Sequence, residues 1–170
     1  MNQFLYSLKR IHLIPQRRND ENCIESRYLY SQEFIGLQSR FSENEIIYID
    51  EVGFNVSLRA SRGRSLVGTP ASLTIPAIRS RNISVCCAIS RNQVIYYESS
   101  VLAYNSDKYS NFLSLLFQKL RLLEMNNVIL IMDNVRFHKT DDVKRLIETS
   151  GFEYMYLPPY SPFLNPIENM

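Results

Sequence analysis

Two aspartates stand where carboxylates can do chemistry. Asp50 follows the apolar run Ile46-Ile47-Tyr48-Ile49, and Asp133 follows the run Val128 to Met132. Both runs read as buried strands, one ending at Asp50 and the other at Asp133. If the strands are parallel neighbours, their carboxylates face each other at the carboxyl edge of the sheet, where open α/β sheets bind ligands. Two close carboxylates repel unless a proton or a cation relieves them. Hard oxygen donors suit Mg2+ or Mn2+, which keep several waters and also bind phosphate oxygens. Two such ions roughly 3.5–4 Å apart activate a water on one side and stabilise a leaving oxygen on the other. That is phosphodiester chemistry. Taken singly, an Asp at a strand end is more often a turn former or a helix cap. By the same measure Asn134 reads as a turn residue, His138 as a surface histidine and Glu168 as a solvated charge. Glu51 directly follows Asp50, so on a strand it points to the opposite face and is the weaker ligand candidate. Asp141, Asp142 and Glu148 read as exposed helix charges.

The elements that must position these groups follow from local pattern. Asn19 reads as an N-cap, with Asp20 and Glu21 in the first turn where the helix dipole favours acids. Ile24, Tyr28 and Ile35 recur at helical spacing, which predicts a helix over about 20–39. The stretch from Arg59 to Pro76 is rich in Gly, Ser, Thr and Pro and reads as loop or short hairpin. Ile83 to Ile89 and Gln93 to Glu98 are two strands joined by a polar turn. Asp107 to Met125 is a helix with Phe112, Leu115, Leu116, Leu120 and Leu123 on its apolar stripe. Thr140 caps a helix reaching about Thr149, and Gly151 sits at its C′ position. A strand over about 152–157 carries Tyr154 and Tyr156 on one face. Pro158, Pro159, Pro162 and Pro166 hold an extended stretch before the start of a last helix. Strands and helices in this order predict a mixed α/β sheet with helices on its faces.

Bulk composition narrows the setting. The 170 residues suffice for one domain with a core, and 45% apolar with 21% charged residues is ordinary for a globular chain. The formal net charge of +2 does not by itself imply a polyanionic partner. Charge distribution says more. Between Val52 and Tyr97 there is no Asp, Glu or Lys, yet Arg59, Arg62, Arg64, Arg79, Arg81 and Arg91 fall there. Such a stretch either neutralises phosphates or is a set of solvated loop arginines. Cys23, Cys86 and Cys87 form no disulfide pattern. Cys86 and Cys87 point to opposite faces of a strand and read as packing residues in a reducing compartment. No run approaches the roughly 18 apolar residues of a membrane helix, and no signal-peptide pattern opens the chain. A soluble intracellular protein is expected.

Three strings occur in one order: Tyr48-Ile49-Asp50-Glu51-Val52-Gly53-Phe54, Met132-Asp133-Asn134-Val135-Arg136-Phe137-His138-Lys139, and Leu157-Pro158-Pro159-Tyr160-Ser161-Pro162-Phe163-Leu164-Asn165-Pro166-Ile167-Glu168-Asn169. They resemble the signature blocks of the DDE domain of mariner-superfamily transposases and their bacterial insertion-sequence relatives. The 34 residues between Asp133 and Glu168 resemble the spacing of the branch with Glu as third ligand. Arg62-Gly63-Arg64-Ser65 with Gly68 and Pro70 is similar to the family's loop after the first Asp. Leu8-Lys9-Arg10 with Pro15 and Arg18-Asn19 is similar to the linker entering the catalytic domain.

The resemblance implies a ribonuclease H-like mixed sheet flanked by helices, with residues 1–44 as linker and leading helix and 45–170 as the catalytic domain. It implies two Mg2+ or Mn2+ ions held by Asp50, Asp133 and Glu168 as the catalytic residues. Asn134 and His138 would support the second Asp, and Arg59, Arg62, Arg64 and Lys139 would contact DNA. The activity implied is metal-dependent strand cleavage and strand transfer in cut-and-paste transposition. The partners implied are double-stranded DNA and a second copy as a homodimer, in the nucleus of a eukaryote or otherwise the cytoplasm. Relatives begin with helix-turn-helix modules and continue past the third ligand into a long helix on the sheet. That helix is expected to be truncated here, which leaves Glu168 in a fraying terminus. The alternative is an inactive relic that at most binds DNA or a partner.

Overall fold

The computed structural model describes residues 15–55, 68–70 and 82–169. Helix α1 (Glu21–Gln38) starts one residue later than expected. The capping group is Asp20, whose carboxylate accepts the Cys23 N–H at 2.9 Å, while Asn19 closes a preceding 3₁₀ turn, Gln16–Asn19. Ile24, Tyr28 and Ile35 do not form the buried stripe. They are exposed, Ile35 at 61%, and Cys23, Tyr30 and Leu37 are buried instead. The reason is that α1 carries apolar residues all round, so periodicity cannot choose a face. Tertiary contact chooses it: Tyr30, Leu37 and Phe41 pack on Ile129, Ile131, Met155 and Leu157.

Strand β1 (Ile46–Asn55) also departs from expectation, because it does not end at Asp50. Strand β2 (Asn82–Ile89) pairs antiparallel with it from Tyr48↔Ile89 to Asn55↔Asn82 and supplies the backbone partners that carry it five residues further. β3 (Val94–Ser100) pairs antiparallel with β2. Asn105 caps α2 (Ser106–Leu122) through the Lys108 N–H. The buried face of α2 is Tyr109, Phe112, Leu113, Leu116, Phe117 and Leu120, whereas Leu123 lies outside it and is exposed. The helix stops before Met125 because Glu124 takes φ 58° and the Met125 N–H turns back to the Leu120 carbonyl. β4 (Ile129–Met132) leads through a 3₁₀ turn, Arg136–Lys139, into α3 (Asp141–Ser150). Thr140 occupies the N-cap position without capping: its hydroxyl bonds Phe137 and Ser106. Gly151 follows with φ 83°, as a left-handed stop requires. β5 (Glu153–Tyr156) closes the sheet with Tyr154 and Tyr156 ring to ring. Two 3₁₀ turns, Pro162–Leu164 and Pro166–Asn169, stand where a last helix was expected to start.

The strand order is β3-β2-β1-β4-β5, with β1, β4 and β5 parallel. Strand alternation sends Ile47, Ile49, Leu130 and Met132 into one core against α2 and α3. Ile46, Ile129 and Ile131 enter a second core against α1. This mixed, two-sided sheet is the ribonuclease H-like arrangement that the resemblance implied. The face assigned to α1 is checked by urea denaturation. Leu37→Ala is expected to cost about 2–5 kcal/mol, and Ile35→Ala to stay within about 0.5 kcal/mol.

Candidate active site

The parallel ladder of β1 and β4 ends at Ile49↔Met132, so the next residues, Asp50 and Asp133, lie side by side. Strand parity then separates Asp50 from its neighbour. Asp50 follows Ile46 and Tyr48 toward the α1 side, and Glu51 follows Ile47 and Ile49 toward the α2 side. A cleft of about 490 Å³ opens at this edge. Asp50, Asp133, Asn134 and Glu168 line it, together with the proline-rich segment Leu157–Pro162 and Asn165. The structure therefore brings the three expected carboxylates into one cavity.

Asp50 is only 6% exposed. One carboxylate oxygen accepts the Glu51 N–H at 2.8 Å, and the other accepts the Asn165 side-chain amide at 2.9 Å. Burial drives its pKa up, the Glu51 N–H pulls it down, and the charges of Glu168, Asp133 and Glu51 add to the rise, leaving it at about 7. Asn165 is 1% exposed, and its own oxygen accepts the Ile167 N–H at 3.1 Å. Sequence reasoning gave Asn165 no role. The Asx turn of an Asn-Pro step was readable there, but the reach to Asp50 was not.

Asp133 has one buried oxygen, Oδ1, that makes no aligned hydrogen bond. His138 Nδ1 approaches it at 2.7 Å as an ion contact, and the same nitrogen lies 3.3 Å from the Asp133 carbonyl. The side chain is 39% exposed overall, so its other oxygen is the one that faces the cleft. His138 is not the surface histidine its sequence position suggested: it is wholly buried. Its Nε2 lies 3.1 Å from a Glu51 carboxylate oxygen, its ring stacks 4.0 Å from that of Tyr109, and its carbonyl accepts the Tyr156 hydroxyl. Glu51 does point away from Asp50, yet it rejoins the site from behind. Glu51, Asp133 and His138 present donor atoms within 4.8 Å of one another, and the Cys86 thiol donates to Glu51 at 3.4 Å. Burial pushes the His138 pKa down. The close contacts with Asp133 and then with Glu51 more than reverse this, and the value stands at about 9.

The remaining expected residues fall unevenly. Glu168 is exposed in the final turn, behind buried Ile167, and its N–H donates to the Asn165 carbonyl at 3.2 Å. Lys139 lies over the Tyr156 ring at 5.0 Å. Arg91 forms an ion pair with Glu43. Arg59, Arg62, Arg64, Arg79 and Arg81 lie outside the described residues. Among the described residues, no helix is long and apolar enough to cross a membrane.

The family model of the DDE superfamily endonucleases matches residues 45–170. No curated protein matches the chain. Among solved structures, a Mos1 transposase paired-end complex with left transposon end is similar over 97% of this chain and 51% of the other, with 22% identity and a TM-score of 0.78. The mariner Mos1 paired end complex with Mg gives the same coverage and identity and a TM-score of 0.79. The catalytic domain of Mos1 mariner transposase is 20% identical over 93% of this chain and 69% of the other, with a TM-score of 0.61. The chain thus spans about half the length of the full Mos1 chains it resembles, and the likeness establishes the fold.

The His138 contacts carry a pH signature in metal-free protein. A raised imidazole pKa adds stability in full below the ordinary value of 6.5 and loses it as pH rises through about 9. Asp50, raised to about 7, loses stability over a lower window, from about 3.8 to 7. Denaturation of wild type and His138→Gln in chelator at pH 6, 7.5 and 9.5 separates the two. The wild-type advantage is expected to shrink steadily from the first pH to the last, and a constant difference would refute the ionised contact.

Proposed function

Since this chain belongs to the DDE superfamily of endonucleases, we propose that it is the catalytic domain of a mariner-type transposase. The reaction is hydrolysis of a phosphodiester at a transposon end, followed by attack of the freed 3′-hydroxyl on target DNA. The observation that carries this reading is the shared cleft of Asp50, Asp133 and Glu168 where the parallel ladder of β1 and β4 ends. Residues 45–170 would form the catalytic unit and residues 1–44 would lead into it. DNA of the transposon end and of the target is the partner, with a second copy of the chain as a homodimer. The compartment is the one that holds the DNA, the nucleus in a eukaryote.

The donor set fits Mg2+ or Mn2+. Two adjacent carboxylates share one cavity with Glu168, and burial together with the neighbouring carboxylate charges leaves Asp50 holding its proton to about pH 7. Carboxylates are the hard oxygen donors such ions take. Asp50, Asp133 and Glu168 would hold the ions, which when bound activate the attacking oxygen and stabilise the leaving one. Asn165 orients Asp50 through its amide, and His138 fixes the buried oxygen of Asp133 with Glu51 behind it. Asn134 stands on the cleft wall, placed to touch a phosphate. Asp50 must give up its proton to take a metal, so affinity rises as pH climbs through about 7. The relic reading has no observation in its favour, since the carboxylates converge on one cleft.

Nicking of supercoiled plasmid tests activity directly. Cleavage is expected with Mg2+ or Mn2+, none in chelator, and a fall to background in Asp133→Ala. No nicking by wild type with either ion would leave the family membership intact and remove the activity. The positioning role of Asn165 is read from Mn2+ binding by electron paramagnetic resonance. Asn165→Ala is expected to weaken it roughly 10–100-fold, with the fold retained by circular dichroism.

A further inference from the structure

Two described residues other than glycine have a left-handed backbone, Glu124 and Tyr160, at φ 58° and 55°. Glu124 is explained by the end of α2, where the next N–H returns to Leu120. Tyr160 ends no helix. It lies between β5 and the turn Pro162–Leu164, in a conformation that costs an aromatic residue free energy and costs glycine almost none.

The chain on both sides of Tyr160 is pinned. The Leu157 N–H bonds the Met132 carbonyl at 2.8 Å, Leu157 and Pro158 are buried, and buried Ser161 returns its hydroxyl to the Pro159 carbonyl at 3.1 Å. The Tyr160 ring, by contrast, belongs to neither hydrophobic core. It is 44% exposed, and among the described residues its hydroxyl has no hydrogen bond and its ring no aromatic or cationic partner. Yet it lines the cleft that holds Asp50, Asp133 and Glu168, and exposed Val135 and Pro159 extend an apolar margin beside it. Strained residues that the surrounding structure over-determines cluster at ligand sites. A little further along, exposed Phe163 carries the Arg18 guanidinium 5.0 Å over its ring, a cation on the same segment.

We propose that Tyr160 is a stacking platform for an unpaired nucleobase beside the phosphodiester held in the cleft. The inference rests on the DNA-cleaving reading of that cleft and adds how the nucleotide is held. A phosphate facing the carboxylates brings its own base to the rim, where a flat ring turned to solvent can receive the π-face. Every base has such a face, so the contact is tolerant of sequence. It also requires the base to leave the helix, which makes frayed or flipped ends better ligands than blunt duplex.

The test uses the full chain with Ca2+ in place of Mg2+, to hold DNA uncut. The probes are a blunt duplex and the same duplex ending in a two-nucleotide unpaired 3′ strand that carries 2-aminopurine. Wild type and Tyr160→Phe are expected to quench the fluorophore. Tyr160→Gly is expected to lose the quenching and to bind the unpaired-ended probe about five- to a hundredfold more weakly, with blunt duplex binding within twofold. Because glycine relieves the left-handed backbone, its Tm is expected to equal or exceed that of wild type, so lost stacking is not lost folding. Equal quenching by Tyr160→Gly and wild type would overturn the stacking role alone. Failure of wild type to bind either probe would overturn the DNA reading and this inference with it.

Discussion

Placing Asp50 level with Asp133 on adjacent parallel strands sets like charges against each other in a half-dry cleft, and the surrounding structure answers that repulsion. Each aspartate receives a different answer. Asp50 is offered neutral donors, the Glu51 N–H and the Asn165 amide, and holds a proton into the neutral range. Asp133 is offered a cation, His138, kept charged by a second carboxylate behind it. The outcome is one carboxyl, Asp50, that is easily neutralised, set beside a second that leans on an imidazole. Such a pair is asymmetric before any metal arrives.

Strand alternation makes this division possible. Neighbouring residues on β1 face opposite cores, so Asp50 and Glu51 serve the same site from two sides of the sheet. The buried packing of His138 against Tyr109 and Phe137 ties the second aspartate to α2 and to the turn before α3. The hydrophobic core therefore reaches Asp133 through an imidazole. A Tyr109 face is a good seat for it, since a protonated ring on an aromatic surface gains cation–π attraction as well as burial.

What was readable in the chain had local causes. The apolar runs before Asp50 and Asp133 are strands because β-branched and aromatic residues suit a buried sheet. Gly151 ends α3 because glycine takes φ 83° freely. The unreadable parts were decided by partners far along the chain. The extension of β1 to Asn55 depends on β2, and the buried face of α1 depends on Ile129 and Ile131. His138 looked like a surface residue because its partner Glu51 lies 87 positions away. The resemblance pointed to the three carboxylates and to His138 beside Asp133, whereas the burial of that imidazole, its Glu51 partner and the Asn165 amide on Asp50 were not readable.

The Asp50–Asn165 hydrogen bond closes a loop of 115 residues. Closing so long a loop costs more chain entropy than any hairpin in the sheet, and one amide contact cannot repay it alone. The bond can form only after β4 and β5 have been laid down beside β1 and have carried the last segment across. In the order of folding, the sheet is therefore a precondition and the cleft its last product. A chain emerging from the ribosome would present a formed core with Asp50 and Asp133 already side by side, and would gain Asn165 and Glu168 only once the segment after β5 was free to dock.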